Sequence, residues 1–228
     1  MIAESRALTK AYMGKKVVKE VSIKIRGGYI YGLLGPNGSG KTTWMKMMTG
    51  FIKPTHGEVI FDGAPWNYRA KNYVAYMSTE PFYYDFMTVG MVGKYYGDFF
   101  EEFDREKFNE LVQKVGLSEE MKVREISTGM MAKLKVIATL SRKARLYMLD
   151  EPLNGIDLKA REEIIDVILT TVNNTNAVII STHLIEEIES FIDHAIFIKD
   201  GNMIYECDVE EERIHSGRSA ADLYRELM

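Results

Sequence analysis

The chain has 228 residues, 46% hydrophobic and 27% charged, an ordinary globular composition with length enough to bury a full core. Its net charge of −4 argues against a general nucleic-acid-binding surface, so no nucleic acid is expected as a partner. One cysteine, Cys207, excludes an intrachain disulfide, and apolar runs such as Ala177–Ile180 and Ala195–Ile198 are far below the roughly 18–20 residues of a membrane span. The polar start "MIAESRALTK" has no apolar leader pattern, and a soluble chain is expected.

Residues 1–31 read as β-rich: "KEVSIKI" (Lys19–Ile25) alternates polar and apolar, and Gly27–Gly28 marks a turn. "IYGLL" (Ile30–Leu34) is a short apolar strand that runs into "GPNGSGKTT", and "WMKMMTGFI" continues as a helix. "GEVIFDG" (Gly57–Gly63) is a further strand closed by a turn. Tyr73–Met77, in "VAYMSTEPFYY", is another, leading into a polar loop that stops at Pro81. From about 83 to 144 the pattern is mainly helical. "GKYYGDFFEEFDREKFNELVQKVGL" has apolar residues at helical spacing, and "MMAKLKVIATLSRKA" is a second helix. "RLYMLDEP" and "AVIISTH" are apolar runs ending in polar turns, as buried parallel strands do, with "DLKAREEIIDVILTTVN" as the crossover helix between them. In the tail, "DGN" is a hairpin turn and "SAADLYRELM" a closing helix.

This alternation, with the glycine-rich phosphate loop "GPNGSGKT" (Gly35–Thr42) after the first central strand, predicts an α/β fold of the phosphate-loop NTPase type. It has a mostly parallel central sheet, an N-terminal antiparallel β subdomain and an inserted helical subdomain. The expected organisation is a single domain over 1–228, with a nucleotide-binding core at about 1–82 and 145–228 and a helical segment at about 83–144.

The phosphate loop is Gly35, Pro36, Asn37, Gly38, Ser39, Gly40, Lys41 and Thr42, a full match to G-x-x-x-x-G-K-[ST], with Thr43 following. The glycines let backbone N–H groups turn inward around phosphate oxygens, and the helix that follows adds its positive N-terminal end. Lys41 reaches the β- and γ-phosphates, and the Thr42 hydroxyl can ligate Mg²⁺. The loop identifies a nucleoside triphosphate site without separating ATP from GTP, or hydrolysis from transfer.

"LYMLDEP" places Asp150 and Glu151 at the carboxyl end of an apolar strand, where ligands sit in open α/β sheets. Asp150 fits the second contact to Mg²⁺, and Glu151 can polarise a water for in-line attack on the γ-phosphate. His183 ends "VIISTH" at the same predicted edge, within reach of a γ-phosphate oxygen or the attacking water.

In this order these motifs resemble the nucleotide-binding subunit of a bacterial export-type ABC transporter, over nearly the whole chain. "ISTGM" (Ile126–Met130) stands where the family has its signature L-S-G-G-Q. The resemblance implies that Ser127, Thr128, Gly129 and Met130, at the start of a helix, contact ATP held by another subunit. It implies that Tyr12 in "LTKAYMG" stacks on adenine and that Asp157 ends an aspartate loop "LNGID". It further implies ATP and Mg²⁺ as cofactors, Glu151 and His183 as catalytic residues, and a second nucleotide-binding subunit, identical or not, paired head to tail. Separate integral membrane permease subunits would hold the chain at the inner face of the membrane, where ATP hydrolysis powers export of a peptide, antimicrobial, lipid or drug. A regulatory or ribosome-associated ABC ATPase is the alternative.

Two departures stand out. Thr128 and Met130 replace the usual glycine and glutamine of the signature, and Thr79 and Glu80 stand where a metal-reaching glutamine is common. The expectation is that Thr79 holds the metal by a weaker or water-bridged contact. The aromatics Phe82, Tyr83, Tyr84, Phe86, Tyr95, Tyr96, Phe99, Phe100 and Phe103 crowd the helical segment. Most are expected in its core, and an exposed subset in a groove for a membrane partner's helix.

Overall fold

The computed structural model describes residues 1–80 and 83–228. In chain order its elements are β1 (Ala3–Tyr12), β2 (Lys15–Ile25), β3 (Ile30–Leu34), α1 (Lys41–Met48), β4 (His56–Phe61), β5 (Ala64–Pro65), β6 (Val74–Met77), α2 (Val89–Phe99), α3 (Arg105–Lys114), α4 (Thr128–Leu140), β7 (Leu146–Asp150), α5 (Leu158–Thr171), β8 (Ala177–Thr182), β9 (His194–Lys199), β10 (Asn202–Asp208), α6 (Val209–Ser216) and α7 (Ala220–Leu227). Short 3₁₀ turns at Tyr68–Tyr73, Val123–Glu125 and Ile185–Glu187 join them. Phe82 and Pro81 lie outside the described residues.

The central sheet runs β10-β9-β3-β8-β7-β6. Its strands are parallel except β10, which pairs antiparallel with β9 at the edge. Every residue of β3, β7 and β8 is buried, the pattern of strands covered on both faces. Period-two alternation divides their side chains between two cores. Tyr31, Leu33, Met148 and Ile179 face α1 and the second sheet, where Trp44 is fully buried. Leu34, Leu149, Val178 and Ile180 face the other way, into a core that includes Phe108, Leu134 and Ile164 from the helices. The second sheet, β2-β1-β4-β5, is antiparallel, as expected for the N-terminal strands.

Two features differ from the sequence expectation. The long helical run from Gly93 to Leu117 is two helices, because the chain leaves α2 at Phe100 and the Asp104 carboxylate caps a new helix by accepting from the Lys107 amide at 3.0 Å. Helical spacing continues across that break and hides it. The helix α6 was not expected either; it buries no residue and so has no apolar stripe to betray it.

Helix starts show a contrast that bears on function. Thr88, Asp104, Ser127, Asp157, Asp208 and Ser219 each place a side-chain oxygen on an early amide of α2 to α7. Among the described residues α1 is the one α-helix that begins without a side-chain cap, on Gly40 of the phosphate loop. No helix among the described residues is long and apolar enough to cross a membrane.

Candidate active site

Parallel pairing brings three loop starts to one edge of the sheet. Leu34 pairs with Thr182, and Asp150 pairs with Ser181, so the residues that follow β3, β7 and β8 emerge together. These are Gly35, Glu151 and His183. Ligands of open α/β sheets lie at this carboxyl edge.

The phosphate loop turns tightly here. A side chain at Gly35 would overlap the Ile198 carbonyl oxygen. Gly40 has φ +108° and would place a Cβ 2.8 Å from the Val17 carbonyl oxygen, so both positions exclude other residues. Pro36, Asn37 and Gly38 are exposed, Ser39 is buried, and Thr43 is half-buried on α1. The Ser39 hydroxyl is buried with no hydrogen-bond partner among the described residues, and α1 starts uncapped beside it. Unspent donors at a helix start suit an anion with several oxygens. Lys41 is buried; its Nζ donates to the Gly35 carbonyl at 2.6 Å and the Pro36 carbonyl at 3.2 Å, and lies 3.6 Å from Glu151 Oε1. Burial lowers its pKa, and the Glu151 and Asp150 carboxylates oppose that shift.

Asp150 is fully buried and carries three hydrogen bonds. Its Oδ1 accepts from the Thr42 hydroxyl at 3.1 Å and the Ser181 hydroxyl at 2.5 Å, and its Oδ2 accepts from the Tyr76 hydroxyl at 3.1 Å. Thr42 and Asp150 thus present adjacent oxygen donors of the kind a small hard cation takes. No group of three or more His, Cys, Asp or Glu among the described residues is arranged to hold a metal. A Mg²⁺ that draws most of its ligands from phosphates and water needs no such group, so these residues fit it.

Glu151 adopts φ +49°, uncommon for a residue with a side chain. Its amide donates to the Ser181 carbonyl and hydroxyl at 3.1 and 3.2 Å, which holds that turn. Its carboxylate lies 3.1 Å from His183 Nδ1. A neutral His183 that donates from Nδ1 leaves Nε2 as an acceptor.

The other predicted residues fall into separate places. Ser127 caps α4, its hydroxyl accepting from the Met130 amide at 3.2 Å; Ser127 and Thr128 are exposed, Gly129 is buried and Met130 is half-buried. Asp157 caps α5 by accepting from the Ala160 amide at 3.0 Å. A side chain at Gly129 would stand 3.2 Å from the Ala160 Cβ and 3.3 Å from Asp157 Oδ2, so the starts of α4 and α5 lie against each other. No hydrogen bond joins Ser127–Met130 to the phosphate loop among the described residues. Tyr12 is exposed at the β1–β2 hairpin, with Lys10 Nζ 5.1 Å from its ring centre. Val17 of the same hairpin borders Gly40.

Thr79 is exposed, and its side chain makes no hydrogen bond to Asp150 or Thr42 among the described residues; its carbonyl accepts from Lys135 Nζ at 2.6 Å. It shares a cleft of about 370 Å³ with Ser127, Thr128, Lys135, Glu151 and Asn154. Sequence reasoning missed Tyr76 and Ser181, the other two donors to Asp150. Ser181 was detectable as the first polar residue after the apolar run of β8. Tyr76 was not, since a tyrosine in a strand is ordinary.

The aromatics of the helical segment divide. Tyr83, Tyr95, Tyr96 and Phe103 pack on the core, while Tyr84, Phe86 and Phe99 are exposed. A mostly apolar cleft of about 370 Å³ between α2 and the sheet edge is lined by Phe51, Tyr76, Tyr95, Tyr96, Phe99 and Phe100.

Comparison with known proteins agrees with this geometry. The family model described as "ABC transporter" matches residues 18–154. The ABC transporter ATP-binding protein YcbN of Bacillus subtilis (strain 168) is 34% identical over 220 residues, covering 93% of this chain and 71% of that protein. The lantibiotic transport ATP-binding protein SrtF of Streptococcus pyogenes is 32% identical over 213 residues, 89% of each chain. A solved structure of the ATP-binding subunit of an ABC transporter superposes with a TM-score of 0.89 at 21% identity, covering 100% of this chain and 99% of that one, which speaks for the fold. The chain therefore belongs to the ABC transporter family, as an ATP-binding subunit with ATPase activity.

Proposed function

We propose that the chain is one of two nucleotide-binding subunits, identical or not, that pair head to tail on separate membrane permease subunits and power export. Peptide or antimicrobial cargo is favoured by the relative named for lantibiotic transport; lipid and drug cargo belong to the same reading. The chain then lies at the inner face of the membrane. We divide it into a nucleotide-binding core at about 1–82 and 145–228 and a helical segment at about 83–144 that carries the signature.

In this reading ATP sits on the uncapped start of α1, with its phosphates against Gly35–Thr43 and its adenine against Tyr12. Bound Mg²⁺ would neutralise developing charge on the phosphates. Thr42 and Asp150 hold that ion. Lys41 leaves the carbonyls of Gly35 and Pro36 for phosphate oxygens. Glu151 accepts a hydrogen bond from the attacking water as general base, and His183 orients the Glu151 carboxylate through Nδ1. Ser127, Thr128, Gly129 and Met130 offer the start of α4 to the nucleotide of the second subunit, beside Asp157. The aromatic cleft receives a helix of the membrane subunit.

The observation that carries this reading is the buried Lys41 on an uncapped helix, 3.6 Å from the Glu151 carboxylate that faces His183. Glu151→Gln tests it. ATP binding is retained, phosphate release falls about 100-fold or more, the range of a lost general base, and an ATP-dependent dimer accumulates on gel filtration. Undiminished phosphate release removes Glu151 from the base role. Co-purification with a protein of several hydrophobic spans tests the transport assignment.

A further inference from the structure

Tyr76 touches the buried carboxylate and the aromatic cleft at once. It lies on β6, the edge strand, in register with Met148 of β7, two residues before Asp150. Its hydroxyl donates to Asp150 Oδ2 at 3.1 Å. Its ring lines the aromatic cleft and stands 5.6 Å from the exposed ring of Phe51, tilted by 52°. One end of a stiff side chain therefore touches the buried carboxylate, while its face borders a surface open to a partner.

Asp150 accepts from three donors, and of these Tyr76 is the one that lines the cleft. Thr42 and Ser181 both hold Oδ1, so Tyr76 alone among the described residues sets Oδ2. An O–H···O bond has its mode at about 2.7–2.8 Å. The 3.1 Å contact is longer than that mode. A tyrosine has two side-chain torsions, so ring and hydroxyl move together.

We propose that Tyr76 is a positioning residue that sets the orientation of the Asp150 carboxylate toward the metal and transmits contact at the aromatic cleft to it. This rests on the reading of Thr42 and Asp150 as metal ligands. The departure at Thr79 gives the link its place, since Thr79 itself makes no side-chain hydrogen bond to Asp150 among the described residues.

The test is a binding measurement without turnover. A fluorescent N-methylanthraniloyl derivative of the β,γ-imido analogue of ATP is titrated with Mg²⁺ on the whole chain. Four proteins are compared: wild type, Tyr76→Phe, Phe51→Ala and the double variant, each checked by its melting curve. Tyr76→Phe keeps the ring and is expected to raise the Mg²⁺ half-saturation about tenfold, the size of one hydrogen bond to an ionised acceptor. Phe51→Ala, at an exposed ring, is expected to raise it about twofold in the wild-type background and to leave it unchanged beside Tyr76→Phe, the mark of coupled sites. A half-saturation in Tyr76→Phe within twofold of wild type overturns the positioning role. A Phe51→Ala effect that is absent, or that persists beside Tyr76→Phe, overturns the link to the cleft. Analogue binding by wild type that ignores Mg²⁺ overturns instead the metal reading of Thr42 and Asp150, and the inference with it.

Discussion

The end of β7 and the start of α4 are both motif sites, and they are built in opposite ways. Asp150 and Glu151 sit at the end of a buried strand, with the Asp150 oxygens and the Glu151 amide bonded inside the chain. Ser127 and Thr128 lie exposed, satisfied by a local cap. The first arrangement holds charges at fixed distances in low dielectric, where a reaction needs them. The second presents a pre-formed helix start with one early amide capped by its own serine, on an exposed face open to another surface.

Substitutions at three positions probe that contrast, in decreasing order of effect. Lys41→Ala removes the buried cation of the wired side and leaves Glu151 with His183 alone. Nucleotide affinity, read by isothermal titration calorimetry, is expected to fall about 10- to 100-fold, as for lost hydrogen bonds to a charged group. Unchanged affinity would mean that the phosphates do not meet Lys41.

Ser127→Ala breaks the cap on the exposed side. Stability should drop by about 1 kcal/mol, a shift of roughly 2–4 °C in Tm for a chain of this size. Ser127→Asn restores the cap, and so the Tm, but changes the group offered to a second subunit. ATPase activity that recovers together with Tm would reduce Ser127 to a structural cap. Activity that stays low would separate the two roles.

The smallest effect concerns the neighbour of the signature. The Ala160 amide holds the Asp157 carboxyl below its ordinary pKa. A depressed carboxylate stabilises the fold in full above its unfolded pKa, about 3.9, and loses that contribution as pH falls through the lower folded value. Asp157→Asn keeps an acceptor for the amide, so the small gap between its melting temperature and that of wild type should be fullest above the unfolded pKa, about 3.9, and shrink as pH falls below it. A gap between the two that widens on acidification would contradict the cap.

Much of this was legible in the chain because the signals are local. Ile30–Leu34 is the strand that its apolar run predicts, and the phosphate loop, the acidic pair and His183 are each short motifs at the ends of such runs. The crossover helix expected between the two apolar runs is also there, as α5. The split between α2 and α3 was not legible, since Asp104 fits a helix surface as well as a cap.

By itself the sequence determined a nucleoside triphosphate site, because glycine, lysine and carboxylate at fixed spacing have few other uses. It also determined the α/β alternation, which follows from periodicity along the chain. Only the tertiary structure decided which groups meet across it. The pairing of β7 with β6 and β8 brings Tyr76 and Ser181 onto Asp150 from positions 74 and 31 residues away. Those contacts depend on strand order and register, which no local pattern encodes. They put the Tyr76 hydroxyl of β6 on Asp150, while the Thr79 carbonyl accepts from Lys135.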